Sequence, residues 1–245
     1  MPEKTTVQSV ERTFLLIELL SEKREMSISE LSSRSLLHKT TVFRLLNTLM
    51  SLGYVYQNPD NEQYGLTLKF LKISSVGLSR NDIRNEARPM LKRLSHQCGE
   101  TVHLVERNGN NVVYIDKFES NKNSVRMVSR IGMELGMTTT AVGKALLSHC
   151  SDDEVLSVWN ESEHTAKTQY TITEFEEFKK EIKTVREKGY AVDNQENELG
   201  VRCVAAALPD AFGEYRYAVS VSAPINRMDE ETVIKTAEKL LKINL

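Results

Sequence analysis

No stretch of the sequence carries the roughly 20 consecutive apolar residues that a membrane-spanning helix needs. The opening MPEKTTVQSVERT has no apolar segment of the signal-peptide kind, so the expectation is a cytoplasmic protein without membrane contact. Cysteine is scarce: Cys98, Cys150 and Cys203 are odd in number and lack CxxC spacing, which argues against both a disulfide framework and a zinc ribbon. His96, His103, His149 and His164 show neither HExxH nor HxH spacing, and there is no GxSxG elbow. A metal centre and a hydrolase triad therefore have little support, and neither metal nor cofactor is expected. A large excess of one charge is also missing, with a formal net charge of −2. Internal repeats and low-complexity tracts are absent as well.

What is present is the mix of a folded globular protein: 245 residues, 40% hydrophobic and 27% charged, enough for one large or two ordinary domains. Residues 1 to 80 hold ten Lys and Arg against eight Asp and Glu. That mild basic bias permits nucleic-acid binding without establishing it.

The first 67 residues read as three short helices and a hairpin. In VQSVERTFLLIELLSEK, Val10, Phe14, Ile17 and Leu20 or Leu16 recur at helical spacing. A second helix opens at Ser27 or Ser29, with Glu30 placed for a capping box on Ser27. A third runs from about Lys39 to Ser51, with Val42, Leu45, Leu46, Leu49 and Met50 on one stripe. YVYQ and QYGLTL then flank the turn NPDN. Helices this short are marginal alone, so they must share a core, and the pattern is that of a winged helix-turn-helix. The outward face of the third helix shows Thr40, Thr41, Arg44, Asn47 and Thr48, with Phe43 at its border. Such a face fits a major groove: Arg44 and Asn47 suit base edges, and Lys39, Thr40 and Thr41 suit phosphates. A plain solvated helix is the competing reading.

Residues 68–98 continue in a helical pattern, with an interruption expected near Gly77 and Pro89 suited to a helix start or kink. They read as a linker helix and dimer surface. From Thr101 the period changes to alternation. TVHLVER, NVVYIDKF, SVRMVSRI, CVAAALPD and YRYAVSVSAP are strand-like, the first two joined by NGN. TAVGKALLSHC, TITEFEEFKKEIKTVREKGY and MDEETVIKTAEKLLKI are helical, with Thr173 and Glu176 placed for a capping box and Leu241 expected in the core. The class is α+β around a largely antiparallel sheet.

The order of TTVFRLLNTLMSLGYV, YGLTLKFL, SRIG, TTTAVGKALL, EKGYAVDNQENELGVRCVAAALPDAFG and AVSVSAP resembles, across nearly the whole chain, the IclR family of bacterial transcription regulators. ETVHLVERNGNNVVYIDKFES and MVSRIG carry a closer likeness to its members that respond to 2-keto-3-deoxygluconate. The resemblance implies a winged helix-turn-helix over 1–67, a linker helix over 68–98 and a GAF-like effector domain over 99–245. It further implies dimers or dimers of dimers, operator double-stranded DNA as a partner, and a small carboxylate as effector. Ala141 and Val142 would offer backbone contacts at the start of a helix, while Asp193, Cys203, Ser220 and Ser222 match pocket positions of the family. Each has a plainer alternative: a capped helix, a turn-capping aspartate, a buried cysteine, serines satisfying backbone. Asn194 to Glu198 read as a mobile lid. An enzyme using Cys203 or a serine with His103 as base, or a helix-turn-helix adaptor between proteins, are the rival functions.

Overall fold

The structure is a computed structural model that describes residues 6–79, 82–120, 127–210 and 212–243. The chain divides between Arg80 and Asn81 into two compact units.

In the first unit, α1 (Gln8–Glu22), α2 (Ile28–Ser35) and α3 (Lys39–Ser51) precede strands β1 (Val55–Gln57) and β2 (Tyr64–Leu66), which pair antiparallel. Met26 bridges to Tyr64 and extends this small sheet. Leu16, Leu20, Leu31, Val42, Leu46 and Tyr64 form the buried centre. The expected stripe on α1 holds at Leu16, Ile17 and Leu20 and is corrected at its start: Val10 and Phe14 are 50% and 58% exposed, while Leu16, Leu19 and Leu20 turn inward. Both sets have helical spacing, but packing of the leucines against α2 and α3 selects the second. Ser27 caps α2 by accepting from the Glu30 amide at 3.2 Å, whereas the Glu30 side chain turns to Lys23 instead of closing a capping box. Leu36, left-handed at φ 55°, ends α2 and starts the tight turn into α3.

Helix α4 (Lys69–Ser79) runs through Gly77, so the expected break does not fall there. Helix α5 (Asp82–Cys98) opens the second unit and carries Pro89 in its interior, which corrects the expected helix start there. Pro89 is exposed, which leaves to water the carbonyl that its missing N–H cannot serve.

The second unit is built on six antiparallel strands in the order β5 (Glu134–Gly136), β4 (Asn111–Phe118), β3 (Thr101–Asn108), β8 (Tyr215–Pro224), β7 (Val201–Pro209) and β6 (Ala191–Asn194). One face is covered by α5 and α9 (Glu230–Leu240), through Ala87, Leu91, Val233 and Ala237 against Leu104, Val204 and Val221. The other is covered by α6 (Ala141–Leu147), α7 (Asp152–Glu161) and α8 (Phe175–Lys188). A register shift between Leu104 and Val105 lets both Ile115 and Asp116 of β4 turn toward α5. There the Asp116 carboxylate, 1% exposed, lies 3.5 Å from Arg84 and 3.7 Å from Arg88.

Several local expectations are revised. Residues 127–131 of SVRMVSRI form no strand, and residues 124–126 lie outside the described residues. Thr173 and Glu176 do not form the capping box, because Glu174 is the cap residue and α8 starts at Phe175. That start brings Phe178, Ile182 and Val185 onto the buried face. Leu241 is 49% exposed, just beyond the end of α9. Strands β5 and β6 and helix α7 had no counterpart among the sequence expectations.

Candidate functional site

Two surfaces carry the residues singled out by the sequence. On α3, Lys39, Thr40, Phe43, Arg44, Asn47 and Thr48 are exposed and Thr41 is half-buried. The residue before the helix, His38, makes no side-chain cap; the Thr41 amide donates to the His38 carbonyl at 2.8 Å, and the Lys39 and Thr40 amides ahead of it have no intrahelical acceptor. The Thr48 hydroxyl is partly committed, donating to the Arg44 carbonyl at 3.0 Å. Among the described residues, neither Lys39 nor Arg44 forms an ion pair.

The second surface is a cavity of about 230 Å³ in the other unit. Its floor is a strip of one sheet face, set by register. Asp193 pairs with Cys203, Cys203 with Ser222, Ala205 with Ser220, and Ser220 with His103. Directly opposed residues of neighbouring strands point to the same face, so groups from four strands meet there. The side chains of Cys203, Ala205, Ser220 and Ser222 are small, and space is left above them. The far wall is the start of α6, where Thr140, Ala141 and Val142 line the cavity.

Close packing fixes that wall. The Thr140 hydroxyl accepts from the Gly143 amide at 3.2 Å and donates to the Gly136 carbonyl at 2.9 Å. The amides of Ala141 and Val142, first in the helix, have no intrahelical acceptor. Behind them Lys144 is fully buried, its Nζ 2.6 Å from Glu196 Oε1, 2.6 Å from the Val192 carbonyl and 3.3 Å from Glu181 Oε1. Burial works against this ammonium, but Glu196 and Glu181 outweigh it and hold its pKa above the ordinary lysine value.

Asp193 Oδ1 accepts from the amides of Glu196 at 2.7 Å and Asn197 at 3.4 Å. The turn after β6 is further held where Thr168 and Thr171 donate to the carbonyls of Gln195 and Glu196, each at 2.6 Å. The turn over Asn194 to Glu198 is thus held by hydrogen bonds at Gln195, Glu196 and Asn197, and Asn197 and Glu198 line the cavity. Burial pushes the Asp193 carboxyl up to about 6, against the pull of Lys144. It pushes Glu196 up to about 7, again against Lys144. Three carboxylates share one ammonium there. Burial likewise drives the Cys203 thiol and the Tyr114 phenol upward, so both stay neutral.

All six residues carried over for the pocket, Ala141, Val142, Asp193, Cys203, Ser220 and Ser222, line this one cavity. The sequence reading missed His103 as a lining residue. Its ring is 2% exposed, with Nε2 2.7 Å from the Ser129 hydroxyl and Nδ1 3.4 Å from the hydroxyls of both Ser220 and Ser222. Tyr114 packs edge-on against it at 4.8 Å between centroids. Alternation along TVHLVER separates His103 from Val102 and Leu104, but the identity of the facing serines depends on strand order. Among the described residues, no Lys or Arg lines the cavity, and no cluster of three His, Cys, Asp or Glu is arranged to hold a metal.

Two family models match the chain: "IclR helix-turn-helix domain" over residues 9–59 and "Bacterial transcriptional regulator IclR C-terminal" over residues 76–244. The HTH-type transcriptional regulator KdgR of Escherichia coli K12 is 39% identical over 226 residues, covering 92% of this chain and 86% of that protein. The DNA-binding transcriptional repressor YiaJ of the same organism is 35% identical, covering 91% and 80%. Among solved structures, the Thermotoga maritima IclR superposes with a TM-score of 0.77 at 30% identity, over 96% of this chain and 95% of that one. The C-terminal domain of E. coli KdgR does so at 0.59 and 33% identity, over 65% and 92%.

Proposed function

The chain belongs to the IclR family of bacterial transcriptional regulators, and from that premise we propose that it is a cytoplasmic repressor of sugar-acid breakdown, released from its operator by a small carboxylate. Its relatives are regulators and not enzymes, which removes the catalytic alternative. Residues 1–67 read the operator through Lys39, Thr40, Thr41, Phe43, Arg44, Asn47 and Thr48. Residues 68–98 serve as linker and dimer surface, and exposed Leu68, Leu71 and Ile73 favour self-association into a dimer or dimer of dimers. Residues 99–245 bind the effector. Among the described residues, no helix is long and apolar enough to cross a membrane.

The observation that carries the effector reading is the polar strip over β6, β7 and β8 facing the first amides of α6. A cavity of about 230 Å³ lies below the range of about 300 to 1,000 Å³ typical of drug-sized ligands, so a small acid suits it. In this reading the carboxylate accepts from the Ala141 and Val142 amides and from the Ser220 and Ser222 hydroxyls. Two carboxylates repel at close range, so Asp193 holds the hydroxyl end. Cys203 bounds the floor. The resemblance to regulators of pectin and uronate breakdown makes 2-keto-3-deoxygluconate the first candidate. Calorimetry and an operator gel shift with this acid and related uronates test the proposal. The expected result is binding of the unchanged acid together with release of DNA. Turnover of the acid, or bound acid with DNA fully retained, would overturn it.

A further inference from the structure

The ring of His103 lies between hydroxyls from two segments, yet a neutral imidazole has one N–H and one lone pair to share among them. The contact to Ser129 is short, at 2.7 Å, and satisfies Nε2. The two serine contacts at Nδ1 are both long, at 3.4 Å, beyond the usual range of such bonds. One ring nitrogen and two hydroxyls thus converge on the cavity without a close partner for that nitrogen. They converge at the serines that the proposed function gives to the ligand's acid group.

Resting on that reading, we infer that His103 is a direct partner of the effector's carboxylate, and that it takes one proton from solvent as the carboxylate arrives. The step breaks no bond of the ligand: the acid stays ionised, the ring becomes an imidazolium, and Nδ1–H donates to a carboxylate oxygen. Burial, aided by the charge of Lys117, holds the ring of the empty protein down to about 3. The ring is therefore neutral before binding at physiological pH. A carboxylate against it supplies the opposite charge that raises a histidine. No Lys or Arg lines the cavity among the described residues, so His103 is the group there that gains positive charge on demand. A neutral sugar would give it no reason to do so, which makes His103 a discriminator between acids and their neutral counterparts.

The groups around the ring are accounted for. Ser220 and Ser222 face it from β8, and Ser129 from the segment after β4. Tyr114 and Lys117 face it from β4, and Asp193, Cys203 and Glu198 lie in the same cavity. The Lys117 ammonium is occupied by the carbonyls of Met127 and Ser129 and by Glu119. Asp193 is the rival proton acceptor, because it titrates near 6.

Titrating the full-length protein with 2-keto-3-deoxygluconate and galacturonate in phosphate and in Tris, across pH 6 to 8, counts the protons taken up. Galactose serves as the neutral control. For one linked proton the affinity rises by up to about tenfold for each pH unit lowered. The wild type should show this dependence, Asp193→Asn should keep it at reduced affinity, and His103→Gln should lose it while still binding operator DNA. If His103→Gln fails to fold, nitrogen-15 NMR of the wild-type histidine rings reads the same event, and a charged ring in the saturated complex is the expected result. Uptake that survives His103→Gln and vanishes in Asp193→Asn overturns the inference, as does saturation with a neutral ring. Acids that bind without proton uptake overturn this inference alone. Failure of every acid to bind overturns the sugar-acid reading and this inference together.

Discussion

Asp193 keeps a carboxyl group 4% exposed on the sheet face, where burial raises its pKa from the usual 3.8 to about 6. A group whose pKa is raised in the folded state adds stability below its unfolded value, and that stability is lost as pH rises through the folded value. At about 1.4 kcal/mol per pKa unit, the loss is on the order of 3 kcal/mol above pH 6. Asp193→Asn keeps an oxygen for the Glu196 and Asn197 amides and removes the buried charge. It should therefore stabilise the protein at pH 8 by about that amount, with the gain vanishing below pH 4, and it should weaken effector binding. Chemical unfolding at the two pH values checks the first part, and no gain at pH 8 refutes it. His103 has the opposite sign: with its pKa depressed from 6.5 to about 3, its contribution is complete above 6.5 and is lost as pH falls toward 3. On α3, Arg44 is the proposed base contact. As a base contact, Arg44→Ala should cost about 1 to 3 kcal/mol at one position of each half-site. Lys39→Ala, as a phosphate contact, should weaken all sequences alike and flatten the salt dependence. Equal operator affinity of wild type and Arg44→Ala at matched salt would contradict the first.

At the scale of elements, the cavity depends on how closely α6 approaches the chain just before it. A Cβ added at Gly143 would stand 2.2 Å from the Met137 carbonyl oxygen and 2.3 Å from its Cα, and backbone cannot rotate aside as a side chain can. Gly143→Ala must shift the start of α6, at a cost of about 1 to 3 kcal/mol or more by analogy with overpacked cores. The expected outcome is a lower melting temperature together with lost effector binding; unchanged values of both would show that the wall is softer than its contacts imply. This contact also marks what the sequence can disclose. Helix α3 was readable to its last residue, because its stripe of Val42, Leu46 and Leu49 is local. The shared face of Ser220 and Ser222 was readable for the same reason. His103 was not assigned to the cavity, because its neighbours are fixed by the pairing of β3 with β8 and β4, more than one hundred residues apart in the first case. Over residues 127–131 the strand expectation failed for the converse reason. The alternation there is strand-like, but carbonyls of Met127 and Ser129 accept from Lys117 instead of a neighbouring strand.

For the whole molecule, the proposed DNA-reading helix and the proposed effector cavity belong to different compact units, so an acid bound in the cavity would act on DNA binding through a difference in its affinity for two states of the protein. A ligand that binds both states equally shifts nothing, however tightly it binds. If the acid in the cavity weakens operator binding by some factor, operator DNA must weaken binding of the acid by the same factor, since the coupling is one free energy shared by both sites. Couplings of this kind are typically about 1 to 3 kcal/mol, or roughly 5- to 150-fold. Calorimetric titration of 2-keto-3-deoxygluconate into the free protein and into the protein saturated with an operator duplex should give dissociation constants differing by the factor seen in gel shifts. Ser222→Ala should weaken the acid in both titrations and leave their ratio nearly unchanged, because the lost hydroxyl contact belongs to the site and not to the switch. A ratio near one in the wild type, with release still seen in gels, would mean that the acid acts on DNA binding from a second site.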